Sequence, residues 1–406
     1  MRRKISLVCS VLVLITVACN LPDYFSTPTP VPATDTPTAS PTEAVTLVPT
    51  EVPVSPPLPE VASPSLVSID FQDENNGWGL AINDNGYVLR TVDGGVTWLD
   101  ATPAEIGPIG YSASLSVLDT NTVWVLLSGA DFYTGTLFHT TDGGLTWTSN
   151  PVPFGGGILQ FLDTNTGRVL ADRGAGAGSN AVELYQTSDG GVTWVSVFHN
   201  DPTQPGSSDS LPLSGIKNGM TFLDANTGWV TGTRPVDGEI YLFATHDGGQ
   251  TWAQQAVPLP AGYEAYQYMP QTPVFFGSQG FLPLTVYLTN LVEHTFYTTN
   301  DGGVTWIGDP TDANRVIAPG HYAFADALHA WSWDGGPNLY FSTDGAQTWA
   351  GMAASLDLTD RLAQIDFIPS TTVPFTGWAL AGIDDAGHSQ LYRTTDNGAN
   401  WMPLIP

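Results

Sequence analysis

Residues 91–98 read TVDGGVTW, and the same eight-residue figure returns six more times. It reads TTDGGLTW at 140–147, TSDGGVTW at 187–194, THDGGQTW at 245–252, TNDGGVTW at 299–306, STDGAQTW at 342–349 and TTDNGANW at 394–401. The steps from one Trp to the next are 49, 47, 58, 54, 43 and 52 residues. Self-similarity at this period marks a solenoid or a propeller, whose units bury their apolar faces against one another. The figure itself reads as a turn. An Asp carboxylate accepts hydrogen bonds from N–H groups one or two residues ahead, and Gly supplies positive φ. The flanking hydroxyls tie the turn together. The Trp carries a large apolar ring inward, its N–H seeking an acceptor. The structural positions are therefore Asp93, Asp142, Asp189, Asp247, Asp301, Asp344 and Asp396, with Trp98, Trp147, Trp194, Trp252, Trp306, Trp349 and Trp401. A phosphate loop would need a Lys after the glycines and a helix beyond, and neither pattern follows.

A second mark precedes each figure by about twenty residues. It reads FQDENNGW at 71–78 and FLDANTGW at 222–229. Looser copies are LDTNTVW at 118–124, FLDTNTGR at 161–168, FADALHAW at 324–331 and FTGW at 375–378, and the fifth unit has only GSQGF at 277–281. Between the two marks lie apolar pairs such as Val88-Leu89, Leu137-Phe138 and Leu391-Tyr392, which read as middle strands covered on both faces. The eight-residue figure resembles the Asp-box, or BNR, repeat. Together with the Phe-x-Asp…Gly-Trp turn, it is similar to the photosystem II assembly and stability factor family of propellers, over residues 66–406. The resemblance implies an all-β, seven-bladed propeller with four antiparallel strands per blade, and a scaffolding role.

The chain opens with Arg2, Arg3 and Lys4, then an apolar run from Ile5 to Val17, too short to span a bilayer comfortably. Thr16-Val17-Ala18-Cys19 resembles a bacterial lipobox, which makes residues 1–18 a signal peptide and Cys19 the lipidated residue; an ordinary cleaved secretory signal is the alternative. The only other cysteine, Cys9, falls inside the leader, so the exported part holds neither a disulfide nor a cysteine metal site. Residues 19–64 are rich in Pro, Thr and Ser and too poor in aromatics to bury a core. They read as a stalk, extended or glycosylated, reaching on the order of 100 Å. Residues 65–406 form the propeller. The net charge is −28, and three of the eleven Lys and Arg stand in the leader. This balance excludes nucleic acid as a partner and leaves the lipid as the only membrane attachment. The expected location is extracytoplasmic and membrane-anchored.

Meander topology puts both repeated turns of every blade on one face. The irregular loops, among them SGADFYTG at 128–135, ADRGAGAGSN at 171–180, residues 199–219 and GYEAYQYMP at 262–270, open on the other. Arg173, Arg234, Arg315 and Arg361, with Lys217, fall on that variable face and are candidates for an anionic ligand. Tyr263, Tyr266 and Tyr268 are candidates for stacking on a sugar or a peptide. No catalytic residue, metal ligand or cofactor is legible: the seven His show no ligand spacing. The sequence points to a non-catalytic binding or scaffold protein for a protein or glycan ligand. The alternative is a glycan hydrolase of the sialidase or xyloglucanase type, which would show an Arg triad with a Tyr–Glu pair, or converging carboxylates, on the variable face. The sialidase Arg-Ile-Pro stretch is missing, and Glu183, Glu239, Glu264 and Glu293 are the glutamates placed late enough to pair with a Tyr.

Overall fold

The computed structural model describes residues 57–82, 87–104, 106, 113–259, 262–290, 292–308, 321–370, 374–383, 387 and 389–405. The leader, Cys19, most of the Pro/Thr tract and Arg315 lie outside the described residues. The rest forms seven sheets of four antiparallel strands, each built from one contiguous stretch of chain. The first strands of adjacent blades touch one another, as Leu66–Phe71 touches Leu362–Phe367, so they surround the axis. The protein is all-β, a seven-bladed propeller.

The repeated turn has one geometry in all seven blades. In the first, Thr97 donates to Asp93 through its N–H (2.9 Å) and its hydroxyl (2.7 Å), while Gly95 N–H (2.8 Å) donates to Thr91 Oγ1. The carboxylate thus reaches four residues forward, further than a simple Asx turn. Gly94 and Gly95 have φ of 76° and 93°, and the non-glycine substitutes Ala346 and Asn397 accept 61° and 63°. Gly94 N–H donates to Asn75 O at 2.8 Å, and Gly143, Gly190, Gly248, Gly302 and Gly345 each reach back in the same way to the first turn of their own blade. The two marks therefore share one face, and the variable loops hold the other.

The two aromatic positions do different work. In blades one, three, four and seven the Asp-turn Trp meets the Phe of its own inner strand edge-on, with centroids 6.0 to 6.1 Å apart. The other Trp, on the second strand, stacks on the Phe of the following blade. Trp124 lies 3.7 Å from Phe161, Trp331 3.8 Å from Phe367 and Trp378 3.7 Å from Phe71, all within 5° of parallel. Their indole N–H groups donate to Gly190 O, Asn397 O and Gly94 O, inside the next blade's Asp turn. The last stack is the closure of the ring. There, Phe71 N–H also donates to Asp366 Oδ2 (2.8 Å), and Gln364 bonds both N–H and C=O of Ile69.

Substitutions in this seam follow its chemistry. Blade three has Arg168 in place of Trp, and its guanidinium sits 4.1 Å from the Phe222 ring centroid. Blade two has Val117 where the seam Phe would stand, and there Arg90 bridges instead, donating to Gly143 O and Asn121 Oδ1. Blade five departs most. Its inner strand divides into Gln267–Pro270 and Val274–Phe276, and its outer edge is a single bridge between Thr298 and Ile307. Phe275 and Phe281 still serve as the two seam rings, against Trp229 and Phe324. Three Asp-turn indoles, those of Trp98, Trp252 and Trp401, find no acceptor among the described residues. In these three the anchoring is by apolar burial rather than by the N–H.

Candidate functional site

The variable face does not present a ring of free cations among the described residues. Arg173 pairs with Glu183 (Nε to Oε2, 2.9 Å) and donates further to Pro153 O, Tyr133 O and Tyr185 Oη. Arg234 pairs with Glu239 and donates to Ser214 Oγ. Each guanidinium is neutralised by a glutamate from the adjacent strand or the loop before it, because a half-buried cation without an anion costs more than the pair. Lys217 is buried, and its ammonium donates to four backbone carbonyls, of Asn180, Leu213, Ser214 and Gly215, at 2.8 to 3.3 Å. Burial lowers its pKa to about 8, against the opposing charge of Asp172. It ties the 199–215 loop onto blades three and four. Arg361 stays exposed. Among the described residues, the expected positive region therefore resolves into two ion pairs, one buried tether and the exposed Arg361.

The tyrosine loop also turns inward. Tyr268 is 2% exposed and its hydroxyl donates to Tyr263 O at 2.5 Å. Tyr263 and Tyr266 meet edge-on at 5.6 Å and rest on the core cluster of blade five. Glu183 and Tyr185 stand beside a single arginine, Arg173, and burial together with the Glu183 hydrogen bond pushes the Tyr185 phenol up to about 12. That shift favours the neutral phenol, opposite to what a nucleophile needs. Glu264 accepts from Gly262 N–H, and no group of three or more metal-binding side chains gathers among the described residues.

What the face does offer is a cleft of about 460 Å³ between blades two and three. Its walls are Phe132 and Tyr133 on one side and Asp172 and Gly174 on the other, with Gly155–157, Ser114 and Ser128 below. Phe132 is 72% and Tyr133 61% exposed, the two most exposed aromatic side chains described. They are exposed yet held in place. Asp131 Oδ1 accepts from the N–H groups of Tyr133 and Thr134, Arg173 holds Tyr133 O, and Phe132 has φ of 61°, unusual for an aromatic residue. Two of the floor glycines are obligatory, since a Cβ would stand 2.2 Å from Phe132 O at Gly155 and 2.4 Å from Leu170 O at Gly157. Sequence reasoning marks the SGADFYTG loop as variable but passes over its aromatic pair. The signal is that nearly every other Phe and Trp in the chain has a seam or core position to fill.

No protein-family model and no curated protein matches this chain. Solved structures do resemble it. One, described as YCF48 bound to D1 peptide, is 20% identical, with 84% of this chain and 95% of that one covered and a TM-score of 0.50. YCF48 from Cyanidioschyzon merolae is 18% identical over 80% and 96%, also with a TM-score of 0.50. Oligogalacturonate lyase from Vibrio parahaemolyticus is 12% identical over 83% and 90%, with a TM-score of 0.52. At these identities the likeness is one of fold, shared by a peptide-bound propeller and an enzyme.

Proposed function

We propose that this chain is a non-catalytic, protein-binding propeller that captures a segment of a partner in the cleft between blades two and three. The observation that carries the reading is the exposed pair Phe132 and Tyr133, held rigidly over a glycine floor. Rigid aromatic side chains supply large contact area at small entropic cost, and they dominate protein interfaces. The peptide held by YCF48, a propeller of similar fold, supports a peptide as occupant. The scaffold is extracytoplasmic, tethered to a membrane by lipid on Cys19 through the 19–64 stalk. The membrane and the partner meet it separately, one at the end of the stalk and one on the variable face.

The test is a double substitution, Phe132→Asn with Tyr133→Ser; Asn tolerates the positive φ at 132. Both positions are exposed, so the melting temperature should hold, each change staying within about 0.5 kcal/mol. Capture of partner from detergent-solubilised membranes by the full chain should fall about tenfold or more, the loss of an aromatic anchor. Equal capture by variant and wild type would refute the cleft as the binding site.

A further inference from the structure

Blade three carries a hairpin that outgrows its sheet. Its strands Gly167–Gly176 and Ser179–Thr187 meet at Ala177-Gly178, with φ of 50° and 76°. This is the two-positive-φ turn that closes tight hairpins. The inner strand Ile158–Phe161 flanks the first of these strands only as far as Leu170. Beyond that point the hairpin stands above the blade, and its two edges differ.

The edge towards blade four is occupied. Asn180 N–H donates to Gly215 O, and Gly215 N–H donates to Gly178 O. Lower down, Val182 N–H donates to Asn200 Oδ1 and Asn200 N–H to Val182 O. In an antiparallel ladder, residues facing each other alternate between pairs that bond to one another and pairs whose N–H and C=O point outwards. Asn180 and Val182 are outward-pointing, so their partners in register, Ala175 and Asp172, point their N–H and C=O over the opposite edge. That edge is a wall of the cleft. No loop or turn backbone bonds to either residue's N–H or C=O among the described residues. Gly174 and Gly176 leave open space where side chains would stand. The bulge between Asp172 and Ala175 limits pairing to a short segment, which discourages the edge from pairing with long strands at large.

We propose that this edge takes the partner's segment as an added β-strand, paired through Asp172 and Ala175, with its side chains resting on Phe132 and Tyr133. The proposal rests on the cleft reading above and adds the mode of recognition and the class of ligand: an extended peptide, not a helix or a folded surface. The segment is basic. Asp172 is the carboxylate that lines the cleft, Arg173 is spent on Glu183, Lys217 on backbone carbonyls, and the whole chain carries −28.

The probe is a peptide selected by the full-length wild-type chain from a random library, then synthesised with single backbone N-methyl groups along its length. Strand addition predicts a period-two loss: affinity falls about tenfold or more at alternate residues, whose N–H faces the hairpin, and little between them. Ala175→Pro removes one outward N–H without touching the hairpin's own ladder, as proline on an edge strand allows. It should weaken the peptide about tenfold while the melting temperature holds. A uniform or absent N-methyl effect, or wild-type affinity in Ala175→Pro, overturns strand addition. If Tyr133→Ser abolishes binding under that outcome, the cleft reading survives alone. If Tyr133→Ser also leaves binding intact, or no peptide is selected, both fall. Selection of acidic peptides overturns the charge assignment.

Discussion

Carboxylates of two kinds contribute to the response of this protein to pH with opposite signs. The seven turn aspartates are held below the usual range; in Asp189 and Asp301 the Thr193 and Thr305 hydrogen bonds bring the pKa to about 2. Their contribution is complete above the unfolded value near 4 and is lost as pH falls through each lowered folded value, which is about 2 for Asp189 and Asp301. At the closing seam the sign reverses. Burial raises Asp70 to about 6, and burial with the charge of Asp70 raises Asp366 to about 7. The folded state then holds protons that the unfolded state has released, so this pair costs stability as pH rises from about 4 to about 7. Burial lowers His139, His294 and His321, which work the other way over the same range, so the pair is isolated by a variant: Asp366→Asn, which keeps an acceptor for Phe71 N–H, should shift the change in melting temperature from pH 5 to pH 8 upwards relative to the wild type. Thermal scans across this range check it; an unchanged slope in the variant would remove the pair from the account. Among the turn tryptophans, Trp98→Ala should cost about 3–5 kcal/mol and the half-buried Trp194→Ala less, read by denaturant melts.

The seam between blades is the element-scale unit of stability. Arg168 shows what the position requires: a flat group over the next blade's Phe, and a donor for its turn. Arg168→Trp should therefore be close to neutral, whereas Arg168→Lys keeps charge and loses the plane, and should cost about 1–3 kcal/mol. If Lys serves as well as Trp in chemical denaturation, stacking is not what the position selects. Much of this seam is legible in the sequence, because the two marks recur in register and each carries its Trp or Phe. Blade five is not: its seam rings, Phe275 and Phe281, fall where the motif has dissolved, and only the neighbouring blades fix their roles. The variable loops are legible as loops but not as contacts. Arg173 and Arg234 look free in sequence because Glu183 and Glu239, their partners, lie outside any pattern. Lys217 likewise reads as a surface cation, though four carbonyls enclose it. Lys217→Met should leave those carbonyls unpaired and expose residues 199–215 to limited proteolysis, while the blades remain folded.

At the scale of the whole molecule, the ring closes without exchanging a strand between its ends. Blade seven meets blade one through Phe71 on Trp378, Trp378 on Gly94 O, and Gln364 and Asp366 on the first strand. The chain before the first strand adds a strip along that blade's outer edge, where Glu60 pairs with Leu99. This covers an edge that would otherwise invite pairing. A chain with a net charge of −28 works against its own field. The melting temperature should rise as salt goes from about 10 to about 200 mM, where the Debye length shortens to below 10 Å. The proposed recognition falls to the variable face, in the cleft between blades two and three. A photo-reactive amino acid placed at position 133, in the full chain in its native cells, tests this most directly against the same group at Val96, which is 56% exposed on the opposite face. The account predicts a discrete protein adduct from position 133 and none from position 96. Equal adducts from both positions, or none from 133, would contradict it.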